Sequence, residues 1–158
     1  MAKRAPFFHS LIASGFGSGF SPVAPGTAGA LLATAIWLIL YNFLSFDTLF
    51  IVTLVLVILF TILGIYSSNV LEPYWGEDPS KIVVDEMVGV WIPLLGVPDG
   101  NIWYVVASFI LFRFFDILKP LGIRKMENLN GGVGVMMDDI LSGIYSLIII
   151  LGIRWVVG

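Results

Sequence analysis

The 158-residue chain contains no cysteine and a single histidine, His9. Without cysteine there are no disulfides, and no enzyme in which a thiolate attacks a substrate phosphate. One histidine leaves nothing from which to build a multi-histidine metal centre, and makes a histidine nucleophile hard to support. Charge is scarce too. Only 12% of residues are charged, where a soluble domain carries about a quarter. Eight basic against eleven acidic residues, with no basic run, offer nothing to a nucleic acid. What fills the chain is apolar: 58% hydrophobic, with a mean hydropathy of +0.99. That composition belongs to membrane proteins. Lys3 and Arg4 precede a short apolar stretch in the manner of a signal peptide. Pro6, His9 and a glycine-rich continuation in place of a small-residue cleavage site argue that it is retained.

Five apolar stretches follow one another: Thr27–Leu44, Thr48 to about Val70, Val83–Val97, Ile102–Leu118 and Ile140–Val157. Their hydrophobicity is continuous, without period 2, which predicts helices and not a barrel. The fold expected is all-α: a polytopic helical integral membrane protein, residues 1–158 as one domain, with four to five membrane-embedded helices behind a short N-terminal interfacial helix. The third stretch has about 15 residues, fewer than the ~17–25 of a usual span, so it is expected to tilt or to re-enter with the fourth. If all five cross, Lys3, Arg4, Lys81, Lys119, Arg124 and Lys125 share one side, and only Arg154 lies near the other, where it can snorkel. The positive-inside rule makes the shared side cytoplasmic, with the N-terminus inside. Four polar, glycine-rich or acidic segments fall on that same side: 14–27, 81–89, 113–124 and 130–139.

Each of these segments offers chemistry. In GFGSGFSPVAPGT, small residues including Ser21 lead to Pro25, Gly26 and Thr27 at the head of a helix. Glycines let backbone amides approach an anion, and a helix N-terminus adds its positive end. A flexible loop with Thr27 as a plain N-cap accounts for the same residues. In KIVVDEMVG, Asp85 and Glu86 enter an apolar helix; lying about 100° apart, both reach one ion best at a helix end. Hard carboxylate oxygens suit Mg²⁺, although acids also favour a helix start on their own account. In FRFFDILKP, Arg113, Asp116 and Lys119 fall near one face at i, i+3 and i+6. Ionisable groups among aromatics in a membrane point to function, though an Arg113–Asp116 pair inside the helix competes as an explanation. In NGGVGVMMDDI, Asp138 and Asp139 open the last helix after a glycine-rich approach. Glu72, Glu77, Asp78 and Asp99 read as solvated loop acids, and His9 as structural.

Taken in order, GFGSGFSPVAPGT, VVDEMVGVW, FRFFDILKPLGI and GGVGVMMDD resemble the phosphatidylglycerophosphatase A family, over residues 15–139. The resemblance implies Mg²⁺-dependent hydrolysis of phosphatidylglycerophosphate to phosphatidylglycerol and phosphate, in phospholipid synthesis at the bacterial inner membrane, with the active site facing the cytoplasm. It implies a metal-binding cluster of Asp85, Glu86, Asp116, Asp138 and Asp139, from which Asp85, Asp116 and Asp139 are expected to act in catalysis. It places Arg113, Lys119 and the loop residues Ser21, Gly26 and Thr27 at the substrate phosphate, where Arg124 is expected as well. One departure is Gly122, where the family pattern after Lys119-Pro120 has a second proline. The partners expected are the lipid substrate and the bilayer. Direct attack by water is expected, since the Asp-x-Asp arrangement of the best-known aspartyl phosphatases is missing. Two other readings compete: a small cation channel or transporter, which predicts acids near the midplane and on both sides, and a metal-dependent phosphatidyl transferase, whose longer D-G-x-x-A-R signature is absent.

Overall fold

The computed structural model describes residues 4–76 and 79–157. Lys3, Glu77 and Asp78, to which the sequence assigns a topogenic charge and two solvated acids, lie outside the described residues. Six α-helices follow in order: α1 Phe7–Ala13, α2 Pro25–Phe43, α3 Phe46–Trp75, α4 Val84–Leu94, α5 Ile102–Leu118 and α6 Gly131–Val157. Short 3₁₀ turns at Ser18–Phe20 and Ile123–Asn128 complete the described secondary structure. The all-helical membrane fold expected from the apolar runs is the fold observed. Helices α2, α3 and α6 are each long and apolar enough to cross a bilayer. The large apolar residues of α3, including Phe50, Ile51, Leu54, Val55 and Ile58, point outward. An exposed apolar face of this extent fits hydrocarbon and not water.

At the centre stands α4. Every residue of it except Glu86 is buried. Eleven residues rise only about 16 Å, too little to cross hydrocarbon alone. Enclosure by α2, α3, α5 and α6 removes the need, because neither end of α4 has to meet lipid. The short third stretch is thus an internal helix. It runs parallel to α6, with Asp85 beside Asp138 and Asp139, and Gly96 beside Leu147 and Ile150. At its far end the guanidinium of Arg154 donates to the Gly96 carbonyl at 2.8 Å. Arg154 therefore satisfies a carbonyl of the α4 terminus, where the sequence suggested only a snorkelling side chain.

Two contacts set how closely α4 is held. A Cβ on Gly89 would strike the Phe112 ring and stand 3.0 Å from the Asp139 carbonyl oxygen; one on Gly143 would stand 2.5 Å from the Gly89 carbonyl. Glycine at both positions lets α4 and α6 approach backbone to backbone, and at position 89 it leaves room for the Phe112 ring of α5. Higher in the bundle, the Trp91 indole donates to the Ala33 carbonyl at 2.9 Å, tying α4 to α2 among Trp37, Leu49 and Phe112. Helix α1 packs on α3 through His9, whose Nδ1 lies 2.9 Å from the Ser67 hydroxyl and whose ring meets Tyr66 edge-on. That contact supports the structural reading of His9.

Candidate active site

Three helices carry the acids. Asp85 and Glu86 occupy the first turn of α4, Asp116 the last turn of α5, and Asp138 and Asp139 the third turn of α6. Oxygens of Asp85, Asp138 and Asp139 lie within 4.8 Å of one another, as do oxygens of Glu86, Asp116 and Asp139. Asp139 belongs to both groups and joins them into one centre. All four aspartates are buried. The five acids singled out in the sequence thus meet at one end of the bundle, in a place that the sequence could suggest only as a shared side of the membrane.

The location of Asp138 and Asp139 differs from the expectation. They do not open the last helix: α6 begins at Gly131, two turns earlier. The glycine-rich approach is itself helical, because Gly132 packs against the Ile65 backbone and its amide donates to Asn69 Oδ1 at 2.6 Å. Only small residues fit against α3 there. The two aspartates consequently face the interior from within a helix, where capping cannot explain them.

Cations border the centre. Arg113 pairs with Asp116 on α5, as spacing allowed, and Lys119 Nζ reaches Asp138 at 2.6 Å, Asp116 at 3.5 Å and Glu127 at 3.6 Å. Burial alone would depress the Lys119 pKa, but the hydrogen bond and charge of Asp138, with the charges of Asp116 and Asp139, hold it above the ordinary lysine range. Lys119 therefore remains an ammonium. Glu127, its third partner, escaped sequence reasoning; the signal available was an acid eight residues beyond a lysine in a loop otherwise basic. Lys119, Leu121 and Gly122 all have positive φ, Gly122 at 88°. Proline is locked near −65°, so a second proline at 122 is incompatible with this loop, and glycine accompanies its left-handed path.

The phosphate-binding expectations divide. Helix α2 starts at Pro25, with Ala24 as N-cap, so Thr27 is its third residue and not its cap. Proline suits the first helical position because its missing donor would be orphaned there anyway. Gly26 sits against the acidic centre: a Cβ on it would stand 3.0 Å from Glu86 Oε1 and 3.4 Å from Arg113 Nη1. The glycine-rich loop holds α2 in this position by packing on the segment before α4, with Gly19 against the Lys81 carbonyl and Gly15 against Val83 and Met87. Its serines serve the loop. Ser18 donates to the Gly15 carbonyl at 2.8 Å, and Ser21 to the Val23 carbonyl at 2.8 Å, which spends the Ser21 hydroxyl away from the acids. Arg124 is exposed and its guanidinium lies 3.5 Å from the Leu118 carbonyl, in the turn beyond Lys119 and not among the carboxylates.

The centre is incomplete as a purely protein structure. Asp85 Oδ1, Glu86 Oε2, Asp139 Oδ2 and Arg113 Nε are buried with no hydrogen-bond partner among the described residues. Unpaired buried carboxylate oxygens are costly. Packed together from α4 and α6, with Asp116 of α5 beside them, they are the kind of donor set a hard divalent cation takes. Fold and site together define a polytopic helical membrane protein with a buried cluster of five carboxylates, bordered by Arg113 and Lys119, at one end of its bundle.

The chain belongs to the phosphatidylglycerophosphatase A family, whose model matches residues 11–154. It is 38% identical over 152 residues to phosphatidylglycerophosphatase A of Escherichia coli K12, covering 94% of this chain and 86% of that one. With phosphatidylglycerophosphatase A of Haemophilus influenzae it shares 41% identity over 147 residues, 92% of this chain and 88% of the other. A Bacteroides thetaiotaomicron protein named "Putative phosphatidylinositol-3-phosphatase" is 65% identical over 158 residues, 99% of both chains. No solved structure matches the chain.

Proposed function

We propose that this protein is a Mg²⁺-dependent lipid phosphatase that releases the terminal phosphate of phosphatidylglycerophosphate, leaving phosphatidylglycerol, at the cytoplasmic surface of a bacterial inner membrane. The observation that carries the reading is the convergence of Asp85, Glu86, Asp116, Asp138 and Asp139, with three of their buried oxygens unpartnered. These five residues would hold the ion. Bound there, Mg²⁺ supplies charge for the phosphate oxygens and Lewis acidity for hydrolysis.

The chain's own residues do the rest. Arg113 keeps a buried Nε free of partners as a donor for a phosphate oxygen, and Lys119 adds a fixed positive charge. The first turn of α2, with Gly26 against Glu86 and Arg113, brings helix amides to the same place. One of Asp85, Asp116 and Asp139 accepts a proton as water attacks phosphorus. The bond from phosphorus to the headgroup oxygen breaks, and that oxygen leaves as the lipid's free hydroxyl after protonation. Lipid tails lie along the outward apolar faces. Lys81, Lys119, Arg124 and Lys125 stand at the end of the bundle that holds the acids, and Arg154 at the other, which supports a cytoplasmic site.

A second headgroup is favoured by one observation, the name of the Bacteroides relative. Phosphatidylinositol 3-phosphate is likewise a phosphomonoester on a polyol joined to a phosphatidyl group. Phosphate release from both lipids by purified protein in micelles, with Mg²⁺ or EDTA, tests the proposal. Release needing Mg²⁺, and lost in Asp85→Asn and Asp139→Asn proteins that remain folded, is expected. Absence of release from either lipid by well-folded protein, across metals, would overturn it; liposome ion flux would then test the channel reading.

A further inference from the structure

Beside the acidic centre lies a second, polar cavity of about 240 Å³ between the C-terminal end of α3 and the start of α6, lined among others by Ser68, Glu72, Glu127, Asn128 and Asn130. None of the five clustered carboxylates lines it. Its link to them is Lys119, whose ammonium bridges Glu127 and Asp138.

The lining selects its occupant. Among the described side chains lining the cavity, two are carboxylates and none is cationic, which repels a phosphate. Carboxylate and amide oxygens accept hydrogen bonds, and so favour a neutral group with a hydroxyl donor. Ser68 supplies an independent observation. It is 4% exposed, it lines the cavity, and its hydroxyl is buried with no hydrogen-bond partner among the described residues. A buried hydroxyl without a partner costs about 1–3 kcal/mol, and a ligand hydroxyl would satisfy it. Neighbouring Asn69 is occupied with the Gly132 amide and holds the two walls together.

We propose that this cavity is the subsite for the polyol of the lipid headgroup, with Ser68 donating to and Glu72 accepting from a free hydroxyl (the single one that phosphatidylglycerophosphate retains) while the phosphate the polyol carries lies among Arg113, Lys119 and the clustered acids. The proposal rests on the lipid-phosphatase reading and deepens it: the substrate must carry its phosphate on a polyol and not directly on diacylglycerol. Glycerol and inositol headgroups share the required chemistry.

The absence of cysteine provides a test that needs no turnover. Asn130→Cys places a unique thiol on the rim of the cavity. Its maleimide labelling is followed in phosphatidylcholine nanodiscs doped with phosphatidylglycerol or with phosphatidic acid, which lacks the polyol. Phosphatidylglycerol is expected to slow labelling several-fold relative to phosphatidic acid, and adding Ser68→Ala or Glu72→Gln is expected to abolish the difference. Equal labelling in the two lipids, or a difference that both substitutions leave intact, would overturn the subsite. On the substrate the enzyme hydrolyses, each substitution is expected to raise KM by about tenfold, the value of one or two hydrogen bonds, with little change in kcat. The relative rates on phosphatidylglycerophosphate and phosphatidylinositol 3-phosphate identify the polyol. If neither lipid yields phosphate, the parent reading fails, and the labelling result still decides the subsite.

Discussion

Gly89→Ala adds one methyl group where α4 packs between α5 and α6. That methyl would run into the Phe112 ring on α5 and stand 3.0 Å from the Asp139 carbonyl oxygen on α6. Overpacking of this kind costs about 1–3 kcal/mol, while replacing a mid-helix glycine by alanine returns about 1 kcal/mol of helix propensity. The net loss is therefore about 0–2 kcal/mol, a fall of a few degrees in melting temperature, and the protein still folds. Activity should suffer more. To make room, α4 must move from α5 or α6, and Asp85 and Glu86 ride on α4. A displacement near 1 Å costs about a hundredfold in rate when catalysis depends on position. Expected, then, is a kcat/KM down about a hundredfold in protein whose melting curve has barely shifted. Gly143→Ala, which would press on the Gly89 carbonyl, should do the same, whereas Gly152→Ala, further along α6 with open space around it, should not. Phosphate release and a thermal melt in the same detergent give both numbers. Full activity in Gly89→Ala, or activity lost only in proportion to unfolded protein, would refute the claim that close helix approach sets the site.

Three further substitutions test the centre and the opposite end of the bundle. Asp139→Asn removes charge from a crowded, buried set of carboxylates, so metal-free protein should melt higher than wild type, while the rise in melting temperature on adding Mg²⁺ should largely vanish; an undiminished Mg²⁺ response would remove Asp139 from the ion's ligands. Lys119→Met takes the ammonium from buried Asp138, and because Lys119 itself is only partly buried the loss should stay below the ~3–5 kcal/mol of breaking a fully buried pair; both stability and kcat/KM should drop, with Lys119→Arg recovering part of each. Arg154→Leu should cost about 1 kcal/mol by orphaning the Gly96 carbonyl, with kcat unchanged, since Arg154 lies at the opposite end of the molecule; a large loss of kcat would show that the two ends are coupled.

Much was legible in the sequence because a bilayer leaves few options. Continuous apolar runs have to be helices when backbone groups cannot bond to water, so α2, α3, α5 and the apolar part of α6 could be read with nearly their observed bounds. The acids were conspicuous for the same reason: Asp85, Glu86, Asp116, Asp138 and Asp139 are expensive in apolar surroundings, and five in one chain ask for a purpose. Gly122 was visible as a departure, and its positive φ supplies the reason.

What the tertiary structure alone decided is how these pieces meet. Local sequence could not reveal that α4 is wholly enclosed, because hydrophobicity reads the same against lipid as against protein. Nor could it place Asp138 and Asp139 inside a helix, since three glycines before them look like a loop until the Ile65 backbone is seen to press on Gly132 and the Leu129 carbonyl on Gly134. Ser21 and Arg124 matched the expected chemistry, but their hydrogen bonds are made elsewhere. Glu127 and Ser68, ordinary residues in the chain, gain meaning only from a shared lysine and a cavity wall. Side-chain chemistry is local and can be read one residue at a time; the distances between residues far apart in sequence are set by packing, here by glycines that bring α4 and α6 to backbone contact and seat the Phe112 ring of α5 against them.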